Sequence, residues 1–192
     1  MEEELQECVV HMQEGDEEAF KTFYTLTKHD VYRLVYFLSS NKDDAVDIMS
    51  EVYLEVFRSI KKFDTSLPFR PWFNGLIVRQ TQNWQRKLWR KVRLFHKSKQ
   101  LEIEPPQPNV EGHIIKNENT EELLALVESL SYKLKEVVVL RYYQENTFED
   151  IATILNVPVG TVKSRHRLAI EKLRQLTGST TNESKEASRY VY

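Results

Sequence analysis

The chain is poor in the residues that make turns and cross-links. It holds one cysteine, five glycines and six prolines in 192 residues. With Cys8 alone, no internal disulfide can form. The scarcity of Gly and Pro favours helices over a turn-rich β-sandwich. No apolar run approaches the roughly 20 residues that a membrane-crossing helix needs, so membrane insertion is not expected. The N-terminus lacks the basic and apolar pattern of a signal peptide, and a cytoplasmic protein is expected. Catalytic equipment is missing as well. There is no nucleophile–base pairing, no phosphate-cradling Gly loop and no metal-ligand set, and the five histidines are scattered. Cys8 and His11 have the spacing of half a metal site, but no second pair accompanies them. An enzyme is the least favoured reading, and no cofactor is expected.

Charge of one sign is missing locally. From Met1 to Phe20 there are eight acids and no Lys or Arg. From Thr65 to Gln100 there are bases (Arg70, Arg79, Arg86, Lys87, Arg90, Lys91, Arg93, Lys97 and Lys99) and no acid. The net charge of −2 hides this asymmetry, which suits one face that meets a polyanion and another that stays acidic. A solvated charged helix would produce the same runs.

What is present is helical period. Gly15-Asp16-Glu-Glu-Ala-Phe reads as a helix start, followed by an apolar face of Phe20, Phe23, Tyr24 and Leu26. A second stretch carries Val31, Leu34, Val35 and Leu38 at helical spacing. Ser39-Ser40-Asn41 interrupts it. Asp43 or Asp44 then opens an amphipathic segment with Ile48, Val52, Val56, Phe57 and Ile60 on one side. Phe63 to Phe69 reads as a loop, and Pro71 suits the first turn of the next helix, which runs through Trp72, Phe73, Leu76, Ile77 and Trp84 towards Arg93. Ser98 to Asn119, with Pro105, Pro106 and Pro108, reads as a linker. Leu123, Leu124, Leu126 and Val127 belong to one later helix, and Val137 to Leu140 to the next. The expected fold is all-α, with two small helical domains joined by a flexible linker. The expected segments are an acidic stretch 1–15, a first domain 16–96, a linker 97–119, a second domain 120–176 and a polar tail 177–192 without fixed structure.

The second domain holds the most informative stretch, Thr147 to Arg167. Thr147 can cap a helix, with Asp150 three residues on. Ile151 and Leu155 share a face, and small Ala152 lets two helices approach. Asn156 stands at the turn, where a left-handed backbone is needed. Val157 and Val162 would close the core between the helices. Thr161, Lys163, Ser164, Arg165, His166 and Arg167 are left near the outer start of the second helix. In a helix-turn-helix, such residues reach base edges and phosphates in the major groove. A helical hairpin with a solvated basic face is the bland alternative.

These residues resemble region four of the sigma-70 family, in its extracytoplasmic-function class. The resemblance is carried by Leu140-Arg141-Tyr142-Tyr143, Ile151-Ala152-Thr153-Ile154-Leu155 and Val159 to Arg165. The first domain resembles region two of the same family. Asp44-Ala45-Val46-Asp47-Ile48 with Glu51-Val52-Tyr53 is similar to its core-binding signature. Phe63-Asp64, Phe69-Arg70 and Trp72-Phe73 are similar to its promoter-melting segment. The resemblance implies a bacterial RNA polymerase subunit that partners with core polymerase, promoter DNA and an anti-sigma factor. It assigns core binding to Asp44, Asp47, Ile48, Glu51 and Val52. It assigns the −10 element and melting to Asp64, Phe69, Arg70, Arg79, Asn83 and Arg86, and the −35 element to Thr161 to Arg167. Asp44, Asp47 and Glu51 also have the three- and four-residue spacing of one acidic stripe. Aromatic platforms beside cations can hold a melted strand, and Phe69, Trp72, Trp84 and Trp89 lie among Arg70, Arg79, Arg86 and Arg90. Trp72 and Phe73 are better suited to the core, and the loop Asp64 to Arg70 to a base pocket. The chain departs from the family pattern at Ser50, Arg79, Asn156, Leu168 and Ile170. Two other readings stay open. A stand-alone DNA-binding regulator would need no acidic stripe or melting segment. A sigma-like adaptor that never meets DNA would need no basic recognition helix.

Overall fold

The computed structural model describes residues 2–98 and 124–187. Among them every regular element is helical. The chain divides into two compact units, one built on the first four helices and the other on most of the later helical residues.

The first unit begins with α1 (Glu2–Glu14). Glu2 to Glu14 of the acidic stretch thus form a helix with a hidden apolar side: Leu5, Cys8, Val9 and Met12 recur at helical spacing and are buried. His11 stays exposed while the Cys8 thiol turns inward, so the two do not share a surface. Gly15 ends α1 with φ +92°, a backbone that favours glycine. Asp16 caps the next helix, accepting hydrogen bonds from the Glu18 and Ala19 N–H groups at 2.8 and 3.2 Å.

That helix, α2 (Glu17–Leu38), is continuous where the sequence suggests two stretches. Its polar middle does not break it, because the Thr27 hydroxyl is satisfied locally. It donates to the Phe23 carbonyl at 2.8 Å and meets the Tyr53 hydroxyl at 2.8 Å. A short 3-10 turn (Lys42–Asp44), capped by Asn41, leads into α3 (Ala45–Ser59). Ile48, Val52 and Val56 face the core from α3, as their spacing predicts, but Phe57 is 62% exposed. Another 3-10 turn (Ile60–Lys62) precedes the loop, and α4 (Phe69–Ser98) follows, with Pro71 in its first turn.

An aromatic cluster centres this unit. The Phe69 ring packs against Phe23, Phe63 and Phe73 at centroid distances of 5.7, 5.6 and 5.4 Å. Trp72 closes on Phe63 at 4.8 Å. Midway along α4, Gln85 Nε2 donates to the Leu38 carbonyl at 3.0 Å and satisfies the C-terminus of α2.

The second unit is helical at 124–128, then in α5 (Tyr132–Tyr142), α6 (Phe148–Leu155) and α7 (Val159–Ala187). Leu130, Leu134 and Val138 pack with Ala169, flanked by Val127 and Leu173. The expected polar tail does not start at residue 177. Helix α7 continues through Ala187, and the Thr177 hydroxyl donates to the Leu173 and Arg174 carbonyls, both at 3.1 Å. No proline interrupts this stretch, so nothing in the backbone forces a stop. Leu123 and residues 99–119 of the expected linker lie outside the described residues.

Candidate nucleic-acid interface

The helix-turn-helix is built by local rules that can be followed residue by residue. Glu145 takes φ +54° at the end of α5, and the buried Asn146 holds that turn through its N–H and its side chain, each 3.1 Å from the Leu140 carbonyl. Thr147 and Asp150 then form a reciprocal cap on α6. The Asp150 N–H reaches Thr147 Oγ1 at 3.1 Å, the Thr147 N–H reaches Asp150 Oδ2 at 3.1 Å, and the Thr147 hydroxyl donates to the same oxygen at 2.6 Å. Asn156 leaves α6 with φ +52°, the left-handed state that asparagine tolerates better than most residues. The Val157 N–H bonds back to the Ala152 carbonyl at 3.0 Å, and the Pro158 carbonyl receives Thr161 and Val162 as α7 starts. Ile151, Ala152, Val162 and Ala169 are buried between the helices, while Leu155 and Val157 are half-buried at the margin.

The first turns of α7 are thereby held rigidly with one face open. Lys163, Ser164, Arg167 and Leu168 are exposed, and Thr161 and Arg165 are half-buried beside them. Lys163 with Arg167, and Thr161 with Arg165, each stand four residues apart, so each pair shares a flank. His166 points elsewhere. Its Nε2 is hydrogen-bonded to the Tyr142 hydroxyl at 2.9 Å, and its ring packs on Phe148 at 5.1 Å. The Arg141 guanidinium caps the other partner, 5.0 Å from the Phe148 ring centre. His166 therefore fastens α7 to α5 and α6.

Burial of the ring, with Arg141 nearby, pushes the His166 pKa below its ordinary value. The folded unit then takes up fewer protons than the unfolded chain once pH falls through about 6.5. This contribution to stability is present above that pH and is lost on acidification. His166→Gln should flatten the melting temperature of the protein against pH between about pH 7 and pH 5. A slope identical to that of the unaltered chain would assign the titration to another group.

In the first unit, the expected melting residues divide. Asp64 is exposed and organises the loop: its Oδ1 accepts from the Ser66 N–H at 3.0 Å and the Ser66 hydroxyl at 2.7 Å. These hydrogen bonds hold the Asp64 carboxyl below the usual carboxylate value. Arg70 is half-buried at the start of α4. Arg79, Asn83 and Arg86 are exposed, and with Arg90 and Arg93 their spacing of four, three, four and three puts them on one stripe of α4. Phe69 departs from expectation. It is only 5% exposed and enclosed by other rings, so it builds the core and offers no platform for a base. The loop instead presents Leu67, which is 56% exposed. Trp89 is 73% exposed at the margin of the basic stripe, and Trp84 is half-buried under the Lys87 ammonium, 5.4 Å from its ring centre.

The expected polymerase stripe changes in the same way. Ile48 and Val52 are fully buried, because α3 turns them to the helices behind it. Asp47 is exposed, Glu51 is half-buried, and Asp44 is half-buried with one carboxylate oxygen covered. Apolar surface on α3 comes from Val46, Leu54 and Phe57, which the apolar period of the helix conceals.

Known proteins show the same two units in the same order. The family model described as Sigma-70 region 2 matches residues 23–91, and the one described as Sigma-70, region 4 matches residues 126–175. The RNA polymerase sigma factor SigV of Bacillus subtilis is 31% identical over 157 residues, covering 81% of this chain and 90% of its own. The chain belongs to the sigma-70 family, in its extracytoplasmic-function class. The ECF RNA polymerase sigma factor SigW of Bacillus subtilis is 26% identical over 186 residues, 91% of this chain and 97% of that protein. The fold of this sigma-family chain is also similar to two solved structures. CnrH, in complex with the cytosolic domain of CnrY, has a TM-score of 0.66 at 16% identity, covering 92% and 98% of the two chains. The sigma factor RpoE of Bartonella quintana, in complex with the anti-sigma factor NepR, has a TM-score of 0.66 at 21% identity, covering 83% and 96%.

Proposed function

We propose that this sigma-70 family chain is an alternative sigma factor that directs core RNA polymerase to specific promoters and starts transcription, in response to an extracytoplasmic or stress signal. The observation that carries this reading is the pairing of two surfaces in one chain. One is a rigid helix-turn-helix with Lys163, Ser164 and Arg167 presented at the start of α7. The other is a structured loop beside the start of α4, whose later turns carry the stripe Arg79 to Arg93. A stand-alone regulator needs only the first. In this reading, residues 16–96 form region two, residues 97–119 the linker and residues 120–176 region four. The chemistry is recognition and strand capture, with no covalent step of its own. An anti-sigma protein belongs to the same proposal, since the similar RpoE is found with one. No described helix is long and apolar enough to cross a membrane.

Transcription with purified core polymerase and a promoter library tests the proposal. Start sites that appear only when this chain is added are the expected result. Duplex binding without any transcript would leave a regulator in its place. Asp47→Ala combined with Glu51→Ala is expected to reduce co-purification with core polymerase by about tenfold, the effect of removing ~1.4 kcal/mol. Undiminished co-purification would take the acidic stripe out of that contact.

A further inference from the structure

The loop between α3 and α4 is held from outside its own sequence neighbourhood. Gln13, near the end of α1, donates both amide hydrogens across the fold: Nε2 lies 2.9 Å from the Ile60 carbonyl and 2.7 Å from the Phe63 carbonyl. Those two oxygens bracket the 3-10 turn from which the loop departs. The Ile60 carbonyl already accepts the Phe63 N–H at 3.0 Å, so the side chain completes a joint at the base of the loop. The rest of the loop is ordered from this root. Phe63 is buried against Phe69 and Trp72, Asp64 binds Ser66, and the Leu67 N–H returns to the Asp64 carbonyl at 3.0 Å. Only Asp64 to Pro68 remain exposed, with Leu67 outward.

The helix that supplies Gln13 is itself fixed. Leu5, Cys8, Val9 and Met12 are buried, and Gly15 and Asp16 join α1 to the capped start of α2. Gln13 thus reaches the loop from a rigid base and not from a mobile arm. Helix α1 lies ahead of residue 23, where the family match begins.

We propose that Gln13 is a positioning residue for promoter opening: by clamping the Ile60 and Phe63 carbonyls, it presets the loop Asp64 to Pro68 in the shape that receives the melting strand. This rests on the sigma-factor reading. A preorganised loop lowers the ordering cost when the first base leaves the duplex, so the clamp acts on opening and not on initial docking. Glutamine suits the role because its NH2 group serves two carbonyls at once; glutamate has no hydrogen to donate when ionised.

The test uses full-length protein with core polymerase, on a duplex promoter and on the same promoter with a mismatched, already open bubble. Gln13→Ala and Gln13→Glu are compared with the neighbouring Glu14→Gln, and circular dichroism checks that each is folded at the assay temperature. Heparin-sensitive binding at low temperature reads docking, and permanganate reactivity of unpaired thymines reads opening. Both Gln13 variants should dock normally and open the duplex about tenfold more slowly, equivalent to ~1.4 kcal/mol of activation free energy. The bubble promoter should restore most of the loss, and Glu14→Gln should behave as the unaltered chain. Normal opening by both Gln13 variants overturns the proposal, as does an equal loss on duplex and bubble. If the unaltered chain opens no promoter, the sigma-factor reading fails first and carries this one with it.

Discussion

Phe69→Ala is expected to destabilise the first helical unit by about 3–5 kcal/mol, a large part of the total stability of a domain of this size. The reason is its place in the cluster. Its ring touches Phe23, Phe63, Trp72 and Phe73, and Phe23 is fully enclosed. Truncation opens a cavity between α2, the loop root and α4 that backbone segments fixed on three sides cannot fill. Thermal and urea denaturation should show the loss directly, and polymerase binding and promoter opening should fall together with it. Leu67→Ala, in the same segment but exposed, should leave the melting temperature within a few degrees, as surface changes usually shift stability by no more than ~0.5 kcal/mol. If Phe69→Ala keeps its melting temperature and loses only promoter opening, the ring is a base platform after all and the packing account is wrong.

The second large effect lies in α7. Arg165→Ala is expected to cost roughly 1–3 kcal/mol of binding to its duplex site, the range for a bidentate base contact. Lys163→Ala should weaken all sequences evenly and lower the salt dependence of binding by about one unit of slope, as for a phosphate contact. Neither change should affect association with polymerase, because Lys163 is exposed, Arg165 is half-buried at the margin of the open face, and the core residues of the helix, Val162 and Ala169, are untouched. Filter binding over a range of salt, paired with co-purification, separates the two. Equal loss of DNA and polymerase binding would indicate a misfolded unit and remove the assignment of this face. A flat salt response would remove its electrostatic basis.

The contrast between the two regions shows what a sequence can carry. The turn around Asn156 and the Thr147–Asp150 cap are short-range devices: the residue type and its spacing contain the physics, and the structure repeats them. Burial is not local in that sense. An aromatic residue beside an arginine has the same pattern whether its ring meets a base or another phenylalanine; it is α2 and α4, closed around Phe69, that make its ring part of the core. Ile48 and Val52 illustrate the same point from the acidic stripe, where apolar residues beside carboxylates turned out to face the core. Helix α1 is hard to read because its five glutamates hide an apolar line of four side chains. Gln13 gave no signal at all, since its partners stand 47 and 50 positions further along the chain.

One consequence follows from the continuity of α4. A single unbroken helix from Phe69 to Ser98 makes the basic stripe a ruler as well as a charge. At ~1.5 Å per residue, the rise from Arg79 to Arg93 is about 21 Å. Phosphates of one strand of B-form duplex rise ~3.4 Å per step along the duplex axis, so in axial length the stripe spans about six of them. One residue inserted after Asn83 would lengthen it by only ~1.5 Å but turn its upper half by about 100° out of line with the lower. Spacing and phase, more than the number of arginines, set what this helix can measure.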